Sequence, residues 1–226
     1  MKRTIIFPAV LWALAGYAAA QGNVPPITFE DFSAHLMHYF ENKGDSIIHE
    51  TISIYENNSY AEMLDQADNI LLFFFYGIKT DDISRYNAFK DTVNRRKSQR
   101  LMALFDAIES NDIGAFLEQQ EPNPELNDIY WTLFFSSGNV TYLNYLLTVI
   151  NNYHNEAKNI TYYLAARSAM WSMALNIITY PRVKEHFTQS GINNKTIKAY
   201  ILNTNPDKIQ SETVAFIRRQ REKGIW

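Results

Sequence analysis

The chain has 226 residues, of which 46% are hydrophobic, 14% aromatic and 20% charged, a composition that supplies a packed core and excludes a disordered polymer. Lys and Arg number 21 against 24 Asp and Glu, so a basic surface that holds nucleic acid by counterion release is disfavoured. Cysteine is absent, which excludes disulfides, thiol nucleophiles, iron–sulfur clusters, cysteine zinc sites and a lipid-modified leader.

Residues 1–20 read as a cleaved signal peptide. Lys2 and Arg3 give a positive start, Ile5 to Ala15 an apolar stretch, and Ala18-Ala19-Ala20 a small-residue cleavage site before Gln21. The apolar segment from Ile5 to Ala20 contains Pro8 and Gly16 and falls short of the roughly 20 residues that span a bilayer. The expectation is therefore a periplasmic or secreted protein with no membrane insertion after cleavage. Removal of the leader leaves 19 basic residues against 24 acidic, a balance of −5. Four N-x-S/T sequons begin at Asn57, Asn139, Asn159 and Asn194. A cysteine-free exported domain of this size is more ordinary for a bacterial periplasm than for an animal secretory route.

Sparse Pro and Gly, and no sustained alternation, point to an all-α fold in one domain over 21–226, with a subdivision point near 98–110. Thr28 with Asp31 resembles a capping box, and Phe29, Phe32, Leu36 and Phe40 follow at helical spacing to a stop at Lys43-Gly44. Ser46 opens a second helix, with Ile47, Ile48, Ile52 and Tyr55 on one side and Asn57-Asn58 at its end. Ser59 with Glu62 caps a third, whose broad apolar face includes Leu71, Phe74 and Phe75 and ends at Gly77. Thr80-Asp81-Asp82 introduces a pattern through Ile83, Tyr86, Phe89 and Val93 to Leu101 and Ile108, as one long helix or two. The basic run Arg95–Arg100 reads as a solvated face rather than an anion site.

Beyond residue 105 the chain reads as short helices. Pro124, Pro181 and Pro206 each mark a helix start, because the first turn tolerates the missing N–H. Gly191 stops a helix, Ile197, Tyr200 and Ile201 supply the next, and Ile209, Val214, Phe216 and Ile217 the last. The stretch from Tyr162 to Ile178 leaves no wide polar stripe, which predicts a central helix covered on most sides. Arg167 is its one full charge, so it emerges at an edge or pairs with an acid from another helix.

Ser110-Asn111-Asp112-Ile113-x-x-Phe116-Leu117 and Ser137-Gly138-Asn139-Val140-x-x-Leu143-x-x-Leu146 repeat at an offset of 27 residues, each a turn feeding a helix. This suggests stacked antiparallel helical hairpins, solenoid-like or as an irregular bundle, without a named repeat signature. The run Phe134-Phe135-Ser136-Ser137-Gly138-Asn139-x-x-Tyr142-Leu143-x-x-Leu146-Leu147, with Ala166-x-Ser168-Ala169-x-Trp171-Ser172 and Pro181-x-Val183, resembles small exported bacterial helical proteins of unknown function over residues 105–190. The resemblance implies an envelope location and transfers no catalytic residue.

No phosphate loop, nucleophile elbow or metal-binding helix signature occurs. His35 and His38, with Glu41 beyond, share a helix face but lack the converging ligands zinc needs, so no metal and no cofactor are expected. Glu62/Asp65 and Glu118/Glu121/Glu125 are the acid groupings a carboxylate-dependent hydrolase would draw on. The doublets Tyr130-Trp131, Phe134-Phe135 and Tyr162-Tyr163 cannot place both members inward, so one member of each belongs at a rim. The sequence reading is thus an exported, non-catalytic binding or scaffold protein for a protein or peptide. An envelope hydrolase and a small-ligand carrier with an interhelical aromatic pocket are the alternatives. The candidate interaction residues are Tyr130, Trp131, Tyr162, Arg167 and Trp171.

Overall fold

The computed structural model describes residues 27–57, 61–189 and 192–226, with the side chains of 61–66 excepted. The expected signal peptide over 1–20, the expected cap at Ser59, the pair Glu62/Asp65 and the expected stop at Gly191 lie outside what is described. The described residues form twelve helices and no strand, so the chain is all-α. They fall into two units. The first holds the described residues up to Gln120 with Trp131–Asn139, and the second holds Glu121–Tyr130 with Val140–Trp226.

The helices of the first unit are α1 (Phe29–His38), α2 (Ser46–Glu56), α3 (Ala61–Asp81), α4 (Ile83–Arg96), α5 (Gln99–Ser110) and α6 (Ile113–Glu118). Local chemistry sets their starts. Thr28 Oγ1 accepts from the Asp31 N–H at 3.0 Å and donates to the Asp31 carboxylate at 2.7 Å, so the hydroxyl caps the helix and the acid takes the hydroxyl proton in place of the backbone N–H that a full capping box engages. Asp82 and Asp112 cap α4 and α6 through the N–H groups of Arg85 and Ala115. The long pattern from Ile83 to Ile108 is two helices, because Lys97 turns left-handed at φ 56° and ends α4. Helix α1 stops at His38, earlier than Lys43-Gly44, and the chain continues in turns that keep Tyr39 and Phe40 buried.

Helix α3 packs on α4 and α5, and α2 packs on α1, α4 and α5. Their core is aromatic: Phe75 is fully buried, with its ring centroid 5.1 Å from Phe105, 5.7 Å from Phe74 and 6.3 Å from Phe89. The run Ile70–Tyr76 is therefore core material, with Leu71, Phe74 and Phe75 facing inward. Gly77 does not stop α3, which runs on to Asp81. A Cβ at Gly77 would lie 1.9 Å from Ser136 Oγ and 3.3 Å from the Leu133 carbonyl, so the glycine permits a close approach. Ile83 is exposed, although the pattern placed it with Tyr86, Phe89 and Val93; it sits at the first turn, before the buried face begins.

Helix α7 (Pro124–Ser137) contributes its residues through Tyr130 to the second unit and the remainder to the first. The second unit continues with α8 (Thr141–Tyr153), α9 (Ile160–Thr179), α10 (Pro181–Gln189), α11 (Lys195–Asn203) and α12 (Pro206–Glu222). Helix α9 is central: α8, α10, α11 and α12 all pack against it. Its covered positions include Ala165, Ala166, Ala169, Met170, Met173, Ala174 and Ile177. Ile178, counted with these in the sequence, is 74% exposed because it lies in the last turn, off the face defined by Ala174 and Ile177. Val214 is 62% exposed for a similar reason, since the inner register of α12 runs Ile209, Thr213, Phe216, Gln220.

All three prolines begin helices as read. Asn159 and Asn194, two of the four sequon residues, are N-caps: each accepts from two backbone N–H groups, of Thr161 and Tyr162 and of Thr196 and Ile197. An Asn cap followed two residues later by Thr reproduces the glycosylation pattern for a structural reason. Both turns of the 27-residue repeat feed a helix, through an Asp112 side-chain cap in one and a left-handed Gly138 (φ 73°) in the other. Phe116, in the first copy, is 48% exposed while Leu117 beside it is buried. Among the described residues no helix is long and apolar enough to cross a membrane.

Candidate functional site

The second unit carries a strip of half-buried tyrosines made of two ring groups, both anchored on α8. Pro124 starts α7, Asn123 caps it through the Leu126 N–H at 2.8 Å, and Tyr130 follows in its second turn. On α8, Tyr142 and Tyr145 are one turn apart and Tyr153 closes the helix, while Asn159 fixes the first turn of α9 from which Tyr162 projects. Tyr130 lies flat on Tyr145, with centroids 4.0 Å apart and 10° between planes, and is 6.3 Å from Tyr142. Tyr153 and Tyr162 meet at 4.7 Å. All five keep part of their surface in solvent.

The phenols differ electrostatically. Burial pushes the Tyr145 hydroxyl well above the ordinary phenol range, and the hydroxyls of Tyr130 and Tyr153 add to the shift. That hydroxyl is buried without a hydrogen-bond partner among the described residues. Tyr162 is raised by desolvation and by Glu121, which accepts its hydroxyl. Next to the strip on α7, Asn127 is fully buried; its Nδ2 donates to the Ala165 carbonyl at 2.7 Å and its Oδ1 is unpartnered among the described residues. Asp128 keeps some solvent contact, yet burial of its carboxyl raises its pKa well above the carboxylate range, with the charge of Glu125 adding to the effect.

Of the residues singled out in the sequence, Tyr130 and Tyr162 belong to different ring groups, Tyr130 with Tyr142 and Tyr145, and Tyr162 with Tyr153. Trp131 belongs to the first unit, buried and stacked on Phe135 at 5.6 Å. Each doublet divides as its spacing requires: Trp131, Phe134 and Tyr163 are buried, while Tyr130, Phe135 and Tyr162 are half-exposed.

Arg167 lies on another part of α9. Its Nε donates to Thr213 Oγ1 at 2.8 Å and a terminal nitrogen to the Ile209 carbonyl at 2.9 Å, with the Glu212 carboxylate at 3.6 Å. Of the two outcomes its isolation in an apolar helix allowed, emergence at an edge or pairing with an acid from another helix, it shows the second. The ring it faces is Tyr200, 5.9 Å away. Trp171 is half-buried, with its indole Nε1 covered and unpartnered among the described residues.

The histidines of α1 are engaged separately, His35 Nδ1 with Glu50 and His38 Nδ1 with Glu41, both at 2.8 Å. No group of three or more His, Asp or Glu suited to a metal ion occurs among the described residues. Sequence reasoning did not single out Tyr145, Tyr153 or Asp128. The available signal was Tyr at 142, 145 and 153 on a helix whose other inward positions are Leu, Val and Ile. A buried face built from aliphatic residues needs no phenols, and these three rings sit half-buried at its margin.

No family model matches the chain, and neither a curated protein nor a solved structure does.

Proposed function

We propose that the protein is an exported, non-catalytic helical module of the bacterial envelope that binds a protein or peptide through the tyrosine strip of its second unit. The observation that carries this reading is the strip itself: five half-buried tyrosines from three helices of one unit. Tyr is suited to such a surface, because it offers a large rigid ring at low entropic cost and a hydroxyl that accepts either water or a partner. The positive start, short apolar stretch and alanine triplet of residues 1–20 support export. The resemblance over residues 105–190 to small exported helical proteins agrees with an envelope location. The turn-and-helix repeats at Ser110 and Ser137 support an arrangement of stacked antiparallel hairpins.

The test is to pan a displayed peptide library against the mature protein and to counter-select with a Tyr130→Ser/Tyr162→Leu variant that retains its helical circular dichroism. Enrichment of peptides that bind the parent and not the variant is expected. Enrichment that survives the double substitution, or none at all, removes the strip from this role.

A hydrolase is the second reading, and Asp128 is what favours it, since a carboxyl held protonated is what a general acid needs. Its charge neighbour Glu125 is one turn away on the same helix, whereas glycosidic chemistry sets two carboxyls on either side of the scissile bond. Cell-wall cleavage by the mature protein that is abolished by Asp128→Asn would establish this second reading.

A further inference from the structure

We propose that the three residues after α12, Gly224 to Trp226, are a strap that opens and closes over a binding site on α9 and α12. The site takes a tryptophan-bearing peptide segment, a place that Trp226 fills in cis in this structure. This inference is independent of the tyrosine strip.

The end of α12 builds the strap. Gly224 is left-handed at φ 68°, its N–H donates to the Arg221 carbonyl at 3.0 Å, and the Ile225 N–H donates to the Gln220 carbonyl at 3.0 Å. This pair of bonds reverses a chain after a helix. The reversal returns Trp226 to α12 and α9, with its ring centroid 5.3 Å from Tyr163 and 5.5 Å from Phe216. Tyr163 and Phe216 stack on each other at 4.5 Å, so two helices that pack together supply the ring surface. A helix-end carbonyl supplies the polar contact. All of these residues belong to the second unit. The chain itself therefore shows the chemistry of the occupant: an indole against the rings, and the N–H of the preceding residue on the Gln220 carbonyl.

The balance of the closed state makes the strap a moving part. Two side-chain polar atoms are buried there without partners among the described residues, the Trp226 indole N–H and the Oε1 of Gln220, one turn beyond Phe216 on the same face of α12. An unpaired buried donor offsets the apolar burial that seats its ring. Ile225 is 52% exposed, so the strap has no second apolar anchor. Opening gives the indole N–H to water, while α12 stays on α9 through Ile209, Thr213 and Phe216. Trp171 shares the unpartnered indole N–H, but it sits inside α9 and cannot leave without unwinding the helix. Trp226 leaves by a turn about Gly224, where a Cβ would meet nothing within 4 Å and only the backbone conformation favours glycine. A segment bound in trans is free of the reversed chain and can aim a donor at Gln220 Oε1, which the cis strap leaves unpaired.

The experiment measures opening and capture separately by NMR on the mature protein. Opening is read as hydrogen exchange of the Trp226 indole N–H, assigned by its loss in Trp226→Phe. Exchange is expected to be independent of low urea, as a local opening requires, and about tenfold faster in Gly224→Ala, which strains the turn. Exchange that accelerates with urea in step with the slowest backbone amides means that the ring leaves only on global unfolding, and overturns the proposal. Capture is read in Gly224→Ala/Trp226→Ala, which frees the ring pair, by titration with the peptide Gly-Ile-Trp-Gly, with Gly-Ile-Ala-Gly and free indole in parallel. Saturable binding of the tryptophan peptide is expected, with shifts in the ring resonances of Tyr163 and Phe216. The parent should bind about tenfold more weakly, because Trp226 competes in cis. Gly224→Ala alone, which keeps the ring, should fall between the two and replaces the double variant if that one does not fold. No binding of the tryptophan peptide, or shifts confined to other residues, overturns the proposal. So does an alanine peptide or free indole that binds as tightly as the tryptophan peptide, or a parent that binds it as tightly as the variant.

Discussion

In the first unit phenylalanines fill the interior: Phe74, Phe75, Phe89 and Phe105 are all buried, and edge-on and tilted rings join three helices. In the second the interior is set by alanine, with Ala165, Ala166, Ala169 and Ala174 covered on α9 and four helices packed around it. Small side chains bring helix axes close along α9; the unit buries Tyr163, Tyr180 and Phe187, and leaves Tyr130, Tyr142, Tyr145, Tyr153 and Tyr162 half-exposed. Its half-exposed rings are mostly tyrosine, which joins a large apolar ring to a polar tip. Aromatic content therefore divides differently in the two units: the phenylalanines of the first are core volume, and the rings of the second are shared between core and accessible surface.

This contrast fixes how each unit should fail. Phe75→Ala should have the largest effect, a loss of about 3–5 kcal/mol in chemical denaturation, because a fully buried ring leaves a cavity among three others. A loss below about 1 kcal/mol would show that the first unit is not held by its aromatic core. Next comes Arg167→Met, which keeps the stem and removes the bonds to Thr213 and Ile209 and the Glu212 pairing. About 2 kcal/mol is expected, and an unchanged midpoint would mean that α12 is held to α9 without it. The second unit should be sensitive to added volume, so Ala169→Leu is expected to destabilise by about 1–3 kcal/mol while Ala169→Gly costs only helix propensity. If Ala169→Leu is tolerated in a thermal melt, α9 is not packed as tightly as its alanines imply.

Asp128 gives the second unit a dependence on pH. Its folded-state pKa is raised by burial and then by Glu125, so between the unfolded carboxyl value of about 3.9 and the raised value the folded state binds the extra proton. The stabilisation is complete below the lower value and is lost as pH rises through the upper one. Asp128→Asn should therefore be more stable than the parent at pH 8, with the difference vanishing near pH 4. Urea titrations at several pH values would show this, and parallel pH curves for the two proteins would contradict it.

Helix starts were legible in the sequence because caps are local. Thr28 and Asp82, and the prolines at 124, 181 and 206, declare themselves within four residues. The central place of α9 was legible for a different reason: a helix without a polar stripe has no face to leave in water. Gly77 was not, since a helix-ending glycine and a glycine admitting Ser136 look identical until the distant residue is known. The strip was half legible. Tyr130 and Tyr162 stood out as members of doublets, whereas Tyr145 and Tyr153 fit the apolar period of α8 and showed their role only when rings from other helices met them.

The smallest expected effects test that same question of faces. Ile178 and Val214 are apolar residues within the apolar patterns of α9 and α12, and by residue type alone their replacement with serine or threonine should remove core contacts. Their exposures of 74% and 62% say otherwise. Ile178 follows Ala174 and Ile177 but falls in the final turn of α9, and Val214 is one step out of register with Ile209, Thr213 and Phe216. Ile178→Ser and Val214→Thr should each change unfolding free energy by no more than about 0.5 kcal/mol, the range of surface substitutions. A loss near 2 kcal/mol at either position would mean that a further surface covers it, and that α9 or α12 presents a different face to its neighbours.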